Sequence, residues 1–425
     1  MRAYVEILRL PGALRFSLAG LLARSGGAMM AIGHLMMVSA LYGNYTWAGA
    51  LSAANGAAWA IGAAILASRV DRLGQRRVMW PAVIVSGLAL AVVVGLALAR
   101  APVGALLPGA IVSGFFGGSP GAMVRARWSH ATANAHQLHT AYSLESTFDE
   151  LTFVVGPVVV TLLSTQVHPA AGLVAPIIVG LLGGYLFYSQ RATEPPVAAP
   201  SHAAAGPAPT VPTVPTRLRT WAGRLVLLVP GVGPLVAVNV FLGCFFGAND
   251  VSVVAATSAW GVRPWSGVVL AVFSLGSAVA GFAYGSRAWR SPLVRRFLLL
   301  IVATLVTGSA LLVVPNAAWL AVAGFFIGAT IAPSLINSNA LITATVPRDR
   351  LTEGLAWLGT SLGLGAALGS SLAGRVIDLA GHVGGFRLTV AFAALATGIA
   401  LASAGVVRRA LATTAGRRVG PPATT

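Results

Sequence analysis

Three carboxylates stand within six residues of one apolar stretch: Glu145, Asp149 and Glu150, in Ser143-Leu-Glu-Ser-Thr-Phe-Asp-Glu150. On a helix Glu145 and Asp149 share a face one turn apart, and Glu150 is rotated by roughly 100° from Asp149. Packed that closely, they repel one another unless a cation or a proton intervenes. A charge at bilayer depth costs roughly 2.5–3.5 kcal/mol on insertion scales, so such groups tend to be paired and functional. Arg24 is the one arginine in the middle of an apolar stretch; Asp250, beside Asn249, is a further acid, and His34 lies at comparable depth. These types suit either a static ion network or the uptake and release of a proton by an acid whose charge is balanced nearby. A His34–Asp250 pair would respond to external pH, whereas a lone His in a helix can equally be a packing residue.

Other chemistries are not signalled. There is no H-E-x-x-H, no G-x-x-x-x-G-K-[ST] and no lysine anywhere in the chain, which argues against an enzyme and against ATP-driven transport by this chain. His130, His136 and His139 are spaced by six and three with no further ligands, so no metal is expected and no cofactor is implied.

The elements that must carry these residues are membrane helices. The chain has 425 residues, 56% hydrophobic and only 9% charged, with a mean hydropathy of +0.82. An ordinary soluble domain has roughly 25% charged residues, so soluble, disordered and disulfide-framed classes are excluded. A single cysteine, Cys244, forms no intrachain disulfide. A bilayer core needs about 20 apolar residues per helix. Twelve spans meet that need, near 16–41, 46–68, 78–99, 103–124, 140–163, 169–189, 232–257, 264–286, 297–315, 318–343, 353–376 and 388–407. The first is too long, and lacks the cleavage site, for a signal peptide.

The net charge of +18 invites a nucleic-acid partner, but the arginines fall in short clusters between apolar runs rather than on one basic face. They follow the positive-inside rule instead. With the N-terminus cytoplasmic, every arginine except Arg24, Arg100, Arg263, Arg375 and Arg387 lies on the cytoplasmic side, Arg125 and Arg127 included as orientation signals. Twelve spans put both termini there, in a multi-pass protein of the plasma membrane. Trp47, Trp80, Trp128, Trp260, Trp265, Trp289 and Trp319 fall near span ends, where amphipathic rings favour the interface.

Residues 191–221 are polar and rich in proline and alanine, and read as an extended cytoplasmic linker. It divides an N-terminal six-helix bundle, 1–190, from a C-terminal one, 222–410, followed by a flexible cytoplasmic tail, 411–425. The halves look alike. Gly114-Phe-Phe-Gly-Gly118 in span 4 matches Gly324-Phe-Phe-Ile-Gly328 in span 10, and Ser68-Arg69 after span 2 matches Ser286-Arg287 after span 8. Parallel repeats of six spans describe a transporter with a midplane cavity between its halves.

Ala67-Ser-Arg-Val-Asp71-Arg72-Leu-Gly74-Gln-Arg76-Arg77, between spans 2 and 3, resembles the G-x-x-x-D-R-x-G-R-R loop of the major facilitator superfamily. The first glycine is Ala67 here, and the second copy carries Trp289 where the acid would stand. The resemblance extends over nearly the whole chain. It implies an all-α integral membrane protein, twelve helices in two six-helix pseudo-repeat bundles. It also implies that Asp71, Arg72, Gly74, Arg76 and Arg77 form a latch locking the halves when the cavity faces outward. Asp71 would lie in reach of Arg72, Arg76 or Arg77 and favour the positive N-terminus of span 11, near 351–354. Within Thr152-Phe-Val-Val-Gly156-Pro157-Val-Val-Val-Thr161, Gly156-Pro157 resembles the centre of the G-x-x-x-G-P-x-x-G-G motif of proton-driven exporters, with Thr152, Val160 and Thr161 in place of glycines. A simple helix kink at Pro157 is the other reading.

In that family spans 1 and 5 are neighbours. Arg24 and Glu150 each lie about ten residues into their spans from the same side, so Arg24 is expected to pair with Asp149 or Glu150. The carboxylate left over would sit in a low-dielectric site beside a like charge, and both effects favour its protonated form. Glu145, nearest the cytoplasmic surface, is expected as a gate residue. Asp250 is expected as a cavity acid. His34, Asn249, Asn337 and Asn339 are cavity candidates, although the asparagines and Ser334 can instead hydrogen-bond between helices. Trp59 and Trp357 can stack on a substrate or pack against helices, and Met29, Met30, Met36 and Met37 can form an adaptable wall or face their neighbours.

The function expected is a monomeric secondary carrier, driven by the proton gradient, that exports a small amphiphilic molecule by alternating access, as a drug or metabolite:proton antiporter does. A neutral or cationic apolar cargo fits the few acids. A proton-coupled or facilitative importer, or a non-transporting sensor on the same scaffold, are the alternatives.

Overall fold

The computed structural model describes residues 2–196, 230–285, 287, 289–346 and 351–418. After a short helix, α1 (Arg2–Leu8), the N-terminal half runs α2 (Ala13–Tyr42), α3 (Tyr45–Leu73), α4 (Gln75–Leu98), α5 (Leu106–Phe116), α6 (Pro120–Ala131), α7 (Ala135–Leu162) and α8 (Ala171–Tyr188). The C-terminal half runs α9 (Val232–Ala259), α10 (Trp265–Gly285), α11 (Leu293–Ser309), α12 (Ala317–Thr345) and α13 (Leu351–Arg418). Among the described residues no strand occurs. Helices are what an isolated apolar segment must form, because hydrocarbon offers the backbone no hydrogen-bond partner.

Among the described residues eleven helical stretches are long and apolar enough to cross a bilayer, α5 and α6 counting as one and α13 being twice the needed length. Gly381, at φ 68, interrupts α13 and divides it into two crossings. Twelve crossings result. The expected loop at 377–387 is helix on either side of that one glycine. Likewise the expected tail is helical as far as Arg418; residues 419–425 and the linker residues 197–221 lie outside the described residues. Residues 191–193 of the expected linker form a single helical turn.

Local signals set the boundaries. Asn44, Asn134 and Asn316 cap α3, α7 and α12 by accepting the backbone N–H three residues on. Span 4 extends past its expected end at 124. Gly118, at φ 62, breaks it, and Ser119-Pro120, with proline at the first helical turn, restarts it as α6. That restart carries Arg125, Arg127 and Trp128 back into the protein.

The repeat is visible in the packing. Gly62 of α3 lies against the carbonyl of Phe115 in α5, and Gly276 of α10 lies against that of Phe325 in α12, with no room for a Cβ at either place. Small residues permit this approach where helices associate by close packing rather than by the hydrophobic effect. Outward faces carry large apolar side chains in the open, Leu88, Val92, Phe282, Val306 and Phe326 among them, as lipid-facing surfaces do.

The halves meet chiefly through α3 against α13 and α7 against α10. Asp378 of α13 accepts hydrogen bonds from the N–H groups of Tyr45 (2.9 Å) and Thr46 (2.6 Å) and from the Thr46 hydroxyl (2.6 Å). Arg263, just before α10, donates to the Met36 carbonyl (3.0 Å) and to Ser39 Oγ (2.7 Å). Burial pushes the Arg263 guanidinium below its ordinary pKa. All these contacts lie at one end of the helices, the end opposite Asp71.

Candidate functional site

A cavity of about 570 Å³ lies inside the N-terminal half, lined by residues 23–181. Its walls come from the middles of α2, α3 and α7 and from the Gly117–Arg125 break between α5 and α6. Small residues such as Gly26, Gly27 and Ala31 leave the space; Trp59 and Phe153 supply aromatic surface. Trp59 is held by its indole N–H, which donates to the Gly118 carbonyl at 2.6 Å.

Arg24 stands at the charged end of this cavity. Its Nη2 donates to Glu145 Oε2, and its Nε is 3.2 Å from Asp149 Oδ1. Asp149 in turn accepts from Arg125 Nη2 at 2.6 Å. Glu145 is fully buried and saturated: its Oε1 also takes the Ser17 hydroxyl at 2.5 Å and the Trp128 indole N–H at 2.7 Å. Two arginines therefore face two acids, and an unpaired charge is avoided in a low-dielectric setting.

This differs from expectation in four places. Arg24 does contact Asp149, but its other partner is Glu145, not Glu150. Glu145 is fully buried between helices; the turn of helix between it and Asp149 brings both onto the face toward α2, while Glu150, rotated away, is exposed and makes no ion pair among the described residues. Arg125 and Arg127, expected as orientation signals, are turned inward. Arg127 is fully buried, donates to Gln75 Oε1 (2.9 Å), the Gln190 carbonyl (3.1 Å) and Thr193 Oγ1 (2.8 Å), and lies over the Phe187 ring. Trp128, expected at the interface, is fully buried against Phe16. The restart of the helix at Ser119-Pro120 was the sequence signal for all three.

His34 and Asp250 do not pair. His34 is fully buried, with Nδ1 2.9 Å from the Met30 carbonyl and Nε2 without a partner. Asp250 is half-buried and makes no ion pair among the described residues; Asn249 beside it is buried. The physical reason is local: an i−4 carbonyl on its own helix takes the imidazole before a residue of the other half can.

Asn337 is a packing residue: it donates to the Tyr284 hydroxyl (2.7 Å) and the Pro333 carbonyl (2.8 Å), linking α12 to α10. Ser334 bonds the Thr330 carbonyl, and Asn339 is exposed. Met36 and Met37 are fully buried, whereas Met30 lines the cavity.

In the 67–77 loop, Gly74 at φ 90 ends α3 and opens α4. Asp71 is exposed and makes no ion pair with Arg72, Arg76 or Arg77. The Arg76 N–H donates instead to Glu194 Oε1 at 3.0 Å, which ties the chain after α8 to the start of α4. The side chains at 351–353, where Asp71 was expected to dock, lie outside the described residues. Gly156-Pro157 sits inside an unbroken α7 between the halves: Gly156 faces Ala28 of α2, and a Cβ on Gly267 of α10 would come within 2.7 Å of the Pro157 carbonyl.

The Major Facilitator Superfamily model matches residues 259–423. No curated protein sequence matches the chain. Solved structures similar to it include a nucleoside transporter, NupG (14% identity, 93% of this chain and 98% of that one, TM-score 0.65). An auto-inhibited POT family peptide transporter is also similar (12%, 96% and 97%, 0.66), as is a D-xylose-proton symporter (16%, 94% and 97%, 0.65). The chain has the fold of these membrane transporters over almost its full length, and none of the three is an enzyme.

Proposed function

We propose that the protein is a secondary carrier that moves a small amphiphilic molecule by alternating access, coupled to the proton gradient. The observation that carries this reading is the Arg24–Asp149–Arg125 bridge at the wall of a mid-depth cavity. Asp149 is partly open to that cavity, its side chain 31% exposed, and it links two cations. A proton taken up there removes the negative charge that holds both arginines, and its release on the other side restores it. Glu145, saturated by donors, is the anchor of the cluster. Glu150 and Asp250 complete the set of intramembrane acids.

Efflux by proton exchange is the direction we propose, from the Gly156-Pro157 resemblance; the structural likeness to a D-xylose-proton symporter favours import as the second reading. The arginine asymmetry supports a plasma-membrane protein with both termini cytoplasmic, working as a monomer of two six-helix halves. On that orientation the Asp378–Thr46 and Arg263–Ser39 contacts close the outer end, and Asp71 belongs to a latch that is open at the inner end.

The test is flux in proteoliposomes and in inverted vesicles under an imposed pH gradient. Substrate-dependent proton movement is expected, with its sign giving direction, and Asp149→Asn should abolish proton-linked flux. Full proton-linked flux in Asp149→Asn would overturn the assignment of the coupling acid.

A further inference from the structure

The hydrogen-bond inventory of the cavity is lopsided. Glu145, just behind the wall, accepts at Oε1 from Ser17 and Trp128 and at Oε2 from Arg24; Asp149, on the wall, accepts at Oδ2 from Arg125, and its Oδ1 is held as an ion pair 3.2 Å from Arg24 Nε, without a hydrogen bond. The donors are not used up. Each guanidinium offers five N–H groups. Arg24 is buried at 9% exposure, and its Nε and Nη1 donate no hydrogen bond among the described residues, Nε being only ion-paired to Asp149. The Arg125 side chain lines the cavity and is 34% exposed; beyond Asp149 its one further hydrogen bond among the described residues is a long one of 3.4 Å to the Gly121 carbonyl. Glu150 does not line the cavity. A cationic ligand would find no free carboxylate oxygen here, while an anionic one would meet a planar guanidinium with donors to spare, the fork that matches a carboxylate.

The rest of the wall is mostly apolar and aromatic, with Ser52, Asn55, Ser86, Ser113, Ser119 and Thr152 as its neutral polar members. Trp59 is 46% exposed and Phe153 55% exposed, both on the cavity. We infer that the cavity takes a small organic anion, a carboxylate on an aromatic or alkyl body, with the charged group at Arg125 and the body against Trp59 and Phe153. This reverses the cargo charge expected from the scarcity of acids: what matters is which charges keep unused hydrogen-bonding capacity, not which sign is rarer. The inference rests on the cavity being the cargo site of the proposed carrier.

The test is binding to the purified full-length protein in detergent, read by thermal shift and by quenching of tryptophan fluorescence. The probes are two series matched in body and differing in charge: indole-3-acetate, tryptamine and indole-3-acetamide, and phenylacetate, phenethylamine and phenylacetamide. In at least one series the carboxylate should bind at least about tenfold tighter than its ammonium and amide counterparts, the scale of a charge-assisted pair. Arg125→Gln should remove that preference, and Arg125→Lys should keep part of it. Ammonium or amide binding equal to the carboxylate, no carboxylate binding in either series, or an undiminished preference in a folded Arg125→Gln protein would each overturn the inference. Proton-linked flux of an ammonium compound would sink the anion assignment and leave the carrier reading standing. Carboxylate binding with no proton-linked flux would do the reverse.

Discussion

Glu145 and Asp149 are one helical turn apart and differ in everything that surrounds them. Glu145 accepts from three donors, Arg24, Ser17 and Trp128, at zero exposure, and Asp149 bridges two arginines at a wetter site. On the proposed function the first is an anchor and the second a switch. Breaking a buried ion pair by deleting one partner costs about 3–5 kcal/mol, because the other charge is left uncompensated. Glu145→Ala should accordingly lower the unfolding midpoint of the detergent-solubilised protein strongly, whereas Asp149→Asn should lower it much less while abolishing coupling. Equal losses of stability in the two variants would contradict this division. The sequence made the acids legible as a group, since charge is rare in an apolar run. It set Glu145 apart as a gate residue, but it did not show what surrounds each acid, because Trp128 and Arg125 belong to another helix.

At the scale of elements, the break between α5 and α6 organises the site. Gly118 has a left-handed backbone, and a Cβ there would run into the Met79 side chain. Its carbonyl also receives the Trp59 indole. A side chain at such a position costs roughly 1–2 kcal/mol in backbone terms alone, before the clash. Gly118→Val is expected to destabilise the protein and to displace Trp59, which a change in tryptophan emission would report; an unchanged spectrum and midpoint would show the break to be unimportant. Span positions were readable from hydropathy to within a few residues. The continuation through Ser119-Pro120 was readable too, but only by weighing a capping signal above falling hydropathy, and without it Arg125, Arg127 and Trp128 looked like loop residues.

Across the whole molecule the two ends are unlike. At one end Asp378 caps the start of α3 with both carboxylate oxygens, favourable for an anion at a helix N-terminus. At the other, Asp71 holds nothing among the described residues. By the family resemblance Asp71 would be the counterpart of Asp378, an acid near the end of one helix meeting the start of a helix in the other half. Asp378→Asn should weaken closure and populate the state in which that end opens. Spin labels at Arg72→Cys and Leu355→Cys, in a Cys244→Ala background, should then report a shorter distance than in the protein with Asp378 intact. An unchanged distance distribution would remove Asp378 from the gating equilibrium.

The sequence by itself determined the membrane class, the twelve crossings, the two related halves and the presence of charge where charge is costly. Each of these depends on composition and period, which are properties of single segments. Only the tertiary structure decided who pairs with whom. Of the two acids expected for it, Arg24 took Asp149 and not Glu150, with Glu145 one turn earlier as its second partner, because a helix rotates about 100° per residue, so the single residue from Asp149 to Glu150 turns an acid from a neighbouring helix to open surface. His34 stayed with its own helix, leaving Asp250 without it, and Asp378, an unremarked acid in a short loop, became the tie between halves. Pair identity depends on rotation and on the register of helices far apart in the chain, and no local pattern encodes either.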